Sequence, residues 1–113
     1  MMKRALIAGA LFVGLWTSFA LAQSFPEDTN FYVNDYADLL TDAQEDDLRA
    51  TLSELFYTRS IEFTVLTIRQ MSDYGHSGSI ESFATALFNT WGIGDAERND
   101  GLLLLVSELD RAL

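Results

Sequence analysis

Residues Ile61–Ile68 read Ile-Glu-Phe-Thr-Val-Leu-Thr-Ile. β-Branched and aromatic side chains dominate this run, the composition of a strand. Its two alternating sets are Ile61, Phe63, Val65 and Glu62, Thr64, Leu66, Ile68, and both contain apolar residues. A strand that is apolar on both faces is usually central and covered on each side, as in a parallel or mixed α/β sheet. This stretch therefore sets the expected fold class.

Upstream, Thr41-Asp42-Ala43-Gln44 has the form of a capping box, in which Thr41 and the residue three later satisfy free backbone N–H groups. Asp42, Glu45, Asp46 and Asp47 crowd the first turns, where the helix dipole favours negative charge. Leu48, Leu52, Leu55 and Phe56 recur at helical spacing, and the helix should fade near residues 58–60. Before it, Phe31-Tyr32-Val33 reads as a short strand or extended arm closed by Asn34-Asp35.

Downstream, residues 73–79 are a loop by their glycine and serine content. Ile80, Phe83, Ala84, Leu87, Phe88 and Trp91 then form a helical stripe behind Ser79 as N-cap. Gly92 stands where a helix ending wants a left-handed residue, and Ile93 is placed for the apolar contact of a Schellman motif. Gly101–Val106, GLLLLV, reads as another buried strand entered through Asn99-Asp100-Gly101, a turn sequence. The order strand–helix–strand–helix–strand predicts an α/β fold. Its expected form is a central mixed or parallel sheet with helices on both faces, a Rossmann-like α/β sandwich. Parallel strands carry the further expectation of right-handed crossovers.

The chain has 113 residues, no cysteine, one proline and a formal net charge of −10. Lys3 and Arg4, an apolar run from Ala5, and Ala20-Leu21-Ala22 have the layout of a secretory signal peptide cut after Ala22. The competing reading of residues 5–22 is an uncleaved membrane anchor, since their number is at the edge of spanning length. The expected organisation is a signal peptide over 1–22, a polar leader over 23–30 and the domain over 31–113. The expected location is extracytoplasmic, periplasmic in a bacterium. Loss of Lys3 and Arg4 takes the net charge from −10 to −12. So acidic a surface argues against nucleic acid or anionic lipid as a partner and is compatible with cations. Without cysteine, an exported chain must hold its core by apolar packing alone.

VNDYADLLT (33–41), the FTVLTI strand, LFNTWGIGD (87–95) and RNDGLLLLVSELDR (98–111), in that order, resemble the TPM domain family, also called the TPM phosphatase domain. That family includes exported or membrane-attached bacterial proteins and a thylakoid-lumen protein of photosystem II repair. The resemblance implies an α/β sandwich, divalent-cation binding with calcium as the usual ion, and a phosphatase activity in some members. It also implies that the C-terminal part of the domain is missing, because the family continues past the Asp-Arg pair into a further strand and a G-x-G-L-E segment.

For the cation, Asp95, Glu97, Asn99 and Asp100 are four oxygen-bearing side chains within six residues, and hard cations need several converging oxygens. The loop is not an EF-hand: Gly101 falls at position seven rather than six, and Val106 stands where the bidentate Glu belongs. With the resemblance added, the expected metal residues are Asp35, Asn99, Asp100 and Asp110. The plainer readings are a solvated turn for Asn99 and Asp100, an Asx-turn for Asn34 and Asp35, and a hairpin turn or surface ion pair for Asp110. The acidic residues 42–47 read as helix electrostatics, and His76 as an exposed loop residue. Ser77 and Ser79 beside His76 lack the elbow and third partner of a hydrolase triad. Two functions stand open. One is an exported domain that binds a divalent cation, calcium by preference, with phosphatase activity on phosphate esters. The other is a non-enzymatic accessory module for assembly or repair of membrane protein complexes, touching the membrane only through an uncleaved signal segment or the missing C-terminal region.

Overall fold

The computed structural model describes residues 24–94 and 100–113. The segment expected to be a signal peptide and Asn99 lie outside the described residues. Three strands, β1 (Val33–Asp35), β2 (Glu62–Ile68) and β3 (Gly101–Ser107), form one sheet in the order β1-β2-β3. Both pairings are parallel, with Val33 opposite Val65 and Val65 opposite Leu104. Helix α1 (Asp42–Arg59) joins β1 to β2 and helix α2 (Ile80–Trp91) joins β2 to β3. A 3-10 turn, Met71–Tyr74, follows β2 and takes in the first two residues of the loop expected over 73–79.

The local signals act as chemistry dictates. The Thr41 hydroxyl accepts from the Gln44 amide, and the Gln44 side chain accepts from the Thr41 amide. Ser79 caps α2, and Gly92 ends it with φ +67. The Ile93 amide reaches back to the Phe88 carbonyl at 3.3 Å, the six-to-one bond of a Schellman motif, and Ile93 is buried. Strand β1 differs from expectation, since it begins at Val33 and contains Asn34 and Asp35. The Asn30 side-chain oxygen accepts from the Tyr32 and Val33 amides, and this local turn keeps Phe31 and Tyr32 out of the ladder.

β2 is the central strand, and each face has its own cover. Leu66 and Ile68 pack with Phe83 and Leu87 of α2 and with Leu105 of β3. On the other face, Val65 packs with Val33 of β1 and Leu52 of α1. Of the α1 stripe only Leu52 is fully buried.

The expectation of right-handed crossovers requires a correction. The order β1-β2-β3 steps twice in one direction, while α1 and α2 lie on opposite faces. Two crossovers of the same hand would put both helices on one face. The two crossovers therefore differ in hand, and one is left-handed, an arrangement found in only about 2% of such units. The physical reason lies in β2. Helices stacked on one face would leave either Phe63 and Val65 or Leu66 and Ile68 without helical cover, at roughly 1.5–3 kcal/mol for each large apolar side chain left bare.

Cover is uneven over β3. Leu105 is 4% exposed, whereas Leu102 and Leu104, on the α1 side, are 49% and 38% exposed. An apolar cavity of about 420 Å³ opens there, lined by Leu39, Leu48, Leu52, Val65, Leu104 and Val106 among others. At the start of β3, a Cβ on Gly101 would meet the Ile93 carbonyl oxygen at 2.7 Å and the Gly94 Cα at 2.8 Å.

Core and edge should therefore respond differently to truncation. Phe83→Ala should cost about 3–5 kcal/mol in urea unfolding. Leu102→Ala should cost less than about 1 kcal/mol, because half of that side chain is already in water. Equal losses would show that β3 is covered on its α1 side.

Candidate functional site

In open parallel sheets, ligands bind beyond the carboxyl ends of the strands. Here that edge is formed by Asp35, Ile68 and Ser107, with their following turns. Two of the four expected metal residues, Asp35 and Asp110, lie there, each held by the hydroxyl of a buried residue that ends or nearly ends a strand.

Asp35 closes β1 opposite Thr67. The Thr67 hydroxyl donates to Asp35 Oδ1 at 2.5 Å, and the Leu39 and Leu40 amides donate to Oδ1 and Oδ2 at 3.0 and 2.9 Å. The carboxylate thus folds the chain back toward the start of α1, as an Asx-turn reading predicts. Burial pushes its pKa up, but the Thr67 hydroxyl and the two amides outweigh burial and hold it below the ordinary 3.8.

Asp110 sits in the turn that follows β3. The Ser107 hydroxyl donates to its Oδ2 at 2.6 Å and the Met71 amide donates at 2.8 Å. Asp110 thereby ties the turn after β3 to the turn after β2. These two donors, opposed only slightly by desolvation, hold its pKa below the ordinary carboxylate value. Around it the chain reverses, with Arg111 at φ +55 and Ser107 paired antiparallel with Ala112.

Asp100 stands at the opposite edge, just before β3, where its carbonyl accepts from the Glu62 amide at 3.2 Å. β3 has seven residues. At about 3.3 Å each, that separates the two edges by roughly 20 Å. One ion therefore cannot touch both Asp100 and Asp110. Among the described residues, no three His, Cys, Asp or Glu side chains converge as a metal-holding group.

The acidic run of α1 is used on the helix itself, where Arg49 pairs with Glu45 at 3.1 Å and Asp46 at 3.6 Å. His76 Nε2 lies 2.9 Å from the Ser79 carbonyl oxygen and 3.2 Å from the Ser82 hydroxyl. A carbonyl only accepts, so the tautomer that fits carries its proton on Nε2. The nitrogen facing Ser82 is then a donor and cannot serve as a base for it.

Three contributors escaped the sequence reading. Thr67 and Ser107 are buried polar residues holding Asp35 and Asp110. Their signal was a hydroxyl at or near the carboxyl end of an apolar run. Glu62 accepts from the Gly94 amide at 2.9 Å, at the amino edge. Asn34, expected in an Asx-turn leading to the helix, is instead buried and binds backwards to the backbone and hydroxyl of Thr29 and the backbone of Asn30.

Compared with known protein families, residues 33–113 match the TPM domain. A search of curated proteins finds no match to the chain.

Asp35 should make stability depend on acid pH. Because its folded pKa is lowered, its contribution is fully present above about 3.8 and is lost as pH falls through the folded value. Asp35→Asn should cost about 1.5–3 kcal/mol at pH 7, the scale of hydrogen bonds to a charged acceptor. It should also flatten the stability curve below pH 4. An unchanged acid limb in urea unfolding from pH 2 to 7 would remove Asp35 from this role.

Proposed function

The chain belongs to the TPM domain family, and on that premise we propose that it is an exported domain that binds a divalent cation at the carboxyl edge of its sheet. The observation that carries the reading is the placement of two carboxylates, Asp35 and Asp110, at the ends of β1 and β3, both kept ionised by fixed donors. A carboxylate offers about four lone-pair sites. Asp35 commits three of them and Asp110 two to the hydrogen bonds described, so both retain acceptor capacity toward an ion.

The donors are oxygens, which selects a hard cation, calcium before zinc. The hydroxyls of Thr67 and Ser107 stand on opposite faces of the sheet, so one ion takes one of these carboxylates, and main-chain carbonyls and water supply the rest of its six to eight oxygens. Affinity then falls at the weak end of the range, about 10⁻⁴–10⁻³ M. Such an ion, when bound, supplies Lewis-acid polarisation of a phosphoryl oxygen and a place for water. The chain's own part is to hold Asp35 and Asp110 ionised and fixed. Phosphatase activity on phosphate esters is the enzymatic form of this proposal.

The second reading is a non-enzymatic accessory module for membrane protein complexes. The observation favouring it is the apolar cavity beside exposed Leu39 and Leu104, a surface suited to another protein rather than to a phosphate. Among the described residues, no helix is long and apolar enough to cross a membrane.

Calcium at a hundredfold excess over its dissociation constant should stabilise the domain by about 2.7 kcal/mol, read as a rise in thermal midpoint. Asp110→Asn should remove most of that rise, and Asp46→Asn should leave it intact. Loss of the rise in Asp100→Asn alone would move the ion to the amino edge, and no rise in the parent at 10 mM calcium would overturn cation binding. Turnover of a phosphate ester by the calcium-loaded parent, lost in Asp110→Asn, supports the enzyme. Calcium binding without turnover supports the accessory module.

A further inference from the structure

Residues 24–30, expected only to lead into the domain, lie against its α2 side as a strap. The Phe25 ring stands 5.4 Å from that of Phe83, which is fully buried. Pro26 is buried, and its carbonyl receives the Trp91 indole N–H at 3.2 Å. Four hydrogen bonds to Asn34 hold Thr29 and Asn30. Two further bonds reach the turns at the carboxyl edge of the sheet. The Ser24 amide donates to the Tyr74 carbonyl at 3.0 Å, in the turn after β2. Tyr36, next after Asp35, donates its hydroxyl to the Glu27 carbonyl.

We propose that this strap sets the cation affinity of the carboxyl edge, by holding in place the turn that fixes Asp110. The proposal rests on the reading that an ion binds at that edge, and it assigns the ion to Asp110 rather than Asp35. Ser107 is paired with Ile68, which packs with α2 and Phe25, so the Ser107 hydroxyl points to the strap's side of the sheet and keeps Asp110 there. Asp35 takes its donors from Thr67, Leu39 and Leu40, and none of these belongs to the strap or to the turn it holds.

Asp110 has two donors, the Ser107 hydroxyl and the Met71 amide. Ser107 is buried at the end of β3, so its hydroxyl is placed by the sheet. Met71 opens a 3-10 turn of four residues. Hydrogen bonds in such a turn are poorer than in an α-helix, so its orientation depends on outside contacts. Here Met71, Tyr74 and Phe25 pack together against the cluster around Phe83, and Ser24 bonds the far end of the turn. With the strap lifted, the turn loses the ring beside it and the bond at its end. The Met71 amide then no longer stands fixed against Asp110. Partners that orient a metal ligand from behind are worth about 10–100-fold in affinity. The coupling is reciprocal: an ion that binds better with the strap docked favours docking by the same factor. Drawing residues 24–30 away therefore releases the ion.

The test titrates calcium chloride into the folded full chain to obtain its dissociation constant. It also follows hydrogen exchange of the Ser24 amide with and without calcium. Saturating calcium should slow that exchange by up to about tenfold, and Asp110→Asn should abolish the response. Phe25→Ala and Trp91→Phe loosen the strap at two points outside the site. Each should raise the calcium dissociation constant, toward about tenfold. Trp91→Phe removes one hydrogen bond and keeps an aromatic ring, so it serves even where Phe25→Ala fails to fold. Leu52→Ala, in the core on the α1 side, should lower the thermal midpoint and leave the constant unchanged. Strap variants that bind calcium as tightly as the parent, or Ser24 exchange untouched by calcium, overturn the proposal and leave the cation reading standing. So does a constant raised equally by Leu52→Ala, which reduces the strap to a source of stability. Calcium binding lost in Asp35→Asn but kept in Asp110→Asn puts the ion on the other face and overturns the assignment. A parent that binds no calcium overturns the cation reading and the proposal with it.

Discussion

The fold depends on cover for both faces of β2. Thr64 through Ile68 are all buried, and alternation sends Val65 to one side of the sheet and Leu66 and Ile68 to the other. One helix can serve only one side. α2, strongly amphipathic, takes the Leu66–Ile68 side, and the more polar α1 takes the other through Leu48 and Leu52. The crossover preference is a statistical consequence of strand twist. Here it yields at one of two connections, because two helices on one face would leave the opposite apolar face of β2 in water.

The polar groups at the strand ends follow from the same geometry. Parallel strands all finish at one edge, where the chain must turn away and its backbone groups need new partners. Thr67 and Ser107 bring hydroxyls to that edge, and Asp35 and Asp110 collect those hydroxyls together with amides of neighbouring turns. The two aspartates are therefore structural before they are anything else. Their remaining lone pairs and fixed charge are what a weakly bound hard cation would use. Asp100, at the amino edge with Glu62, belongs to a different neighbourhood.

The strap completes the cover on the α2 side. α2 lies over β2 and β3, and Asn34 of β1 lies on that same face, paired with Leu66. Residues 24–30 fill the position beside it, with Phe25 joining the α2 core and Asn34 satisfying the turn at Thr29–Asn30. A buried asparagine is tolerable because its side-chain groups bond to the strap.

Elements whose signal is local were legible in the sequence. The capping box at Thr41, the stripe and Gly92 ending of α2, and the double-sided apolar pattern of β2 each rest on contacts within a few residues, so spacing alone specifies them. The family, and the placement of Asp35 and Asp110 after short apolar runs, were legible for the same reason. Strand order, the hand of the crossovers, the strap and the separation of Asp100 from Asp110 were not. They depend on which face of β2 each helix covers and on which strand end meets which turn. Those choices are made by burial between residues 30 or more positions apart. Sequence spacing carries no record of them.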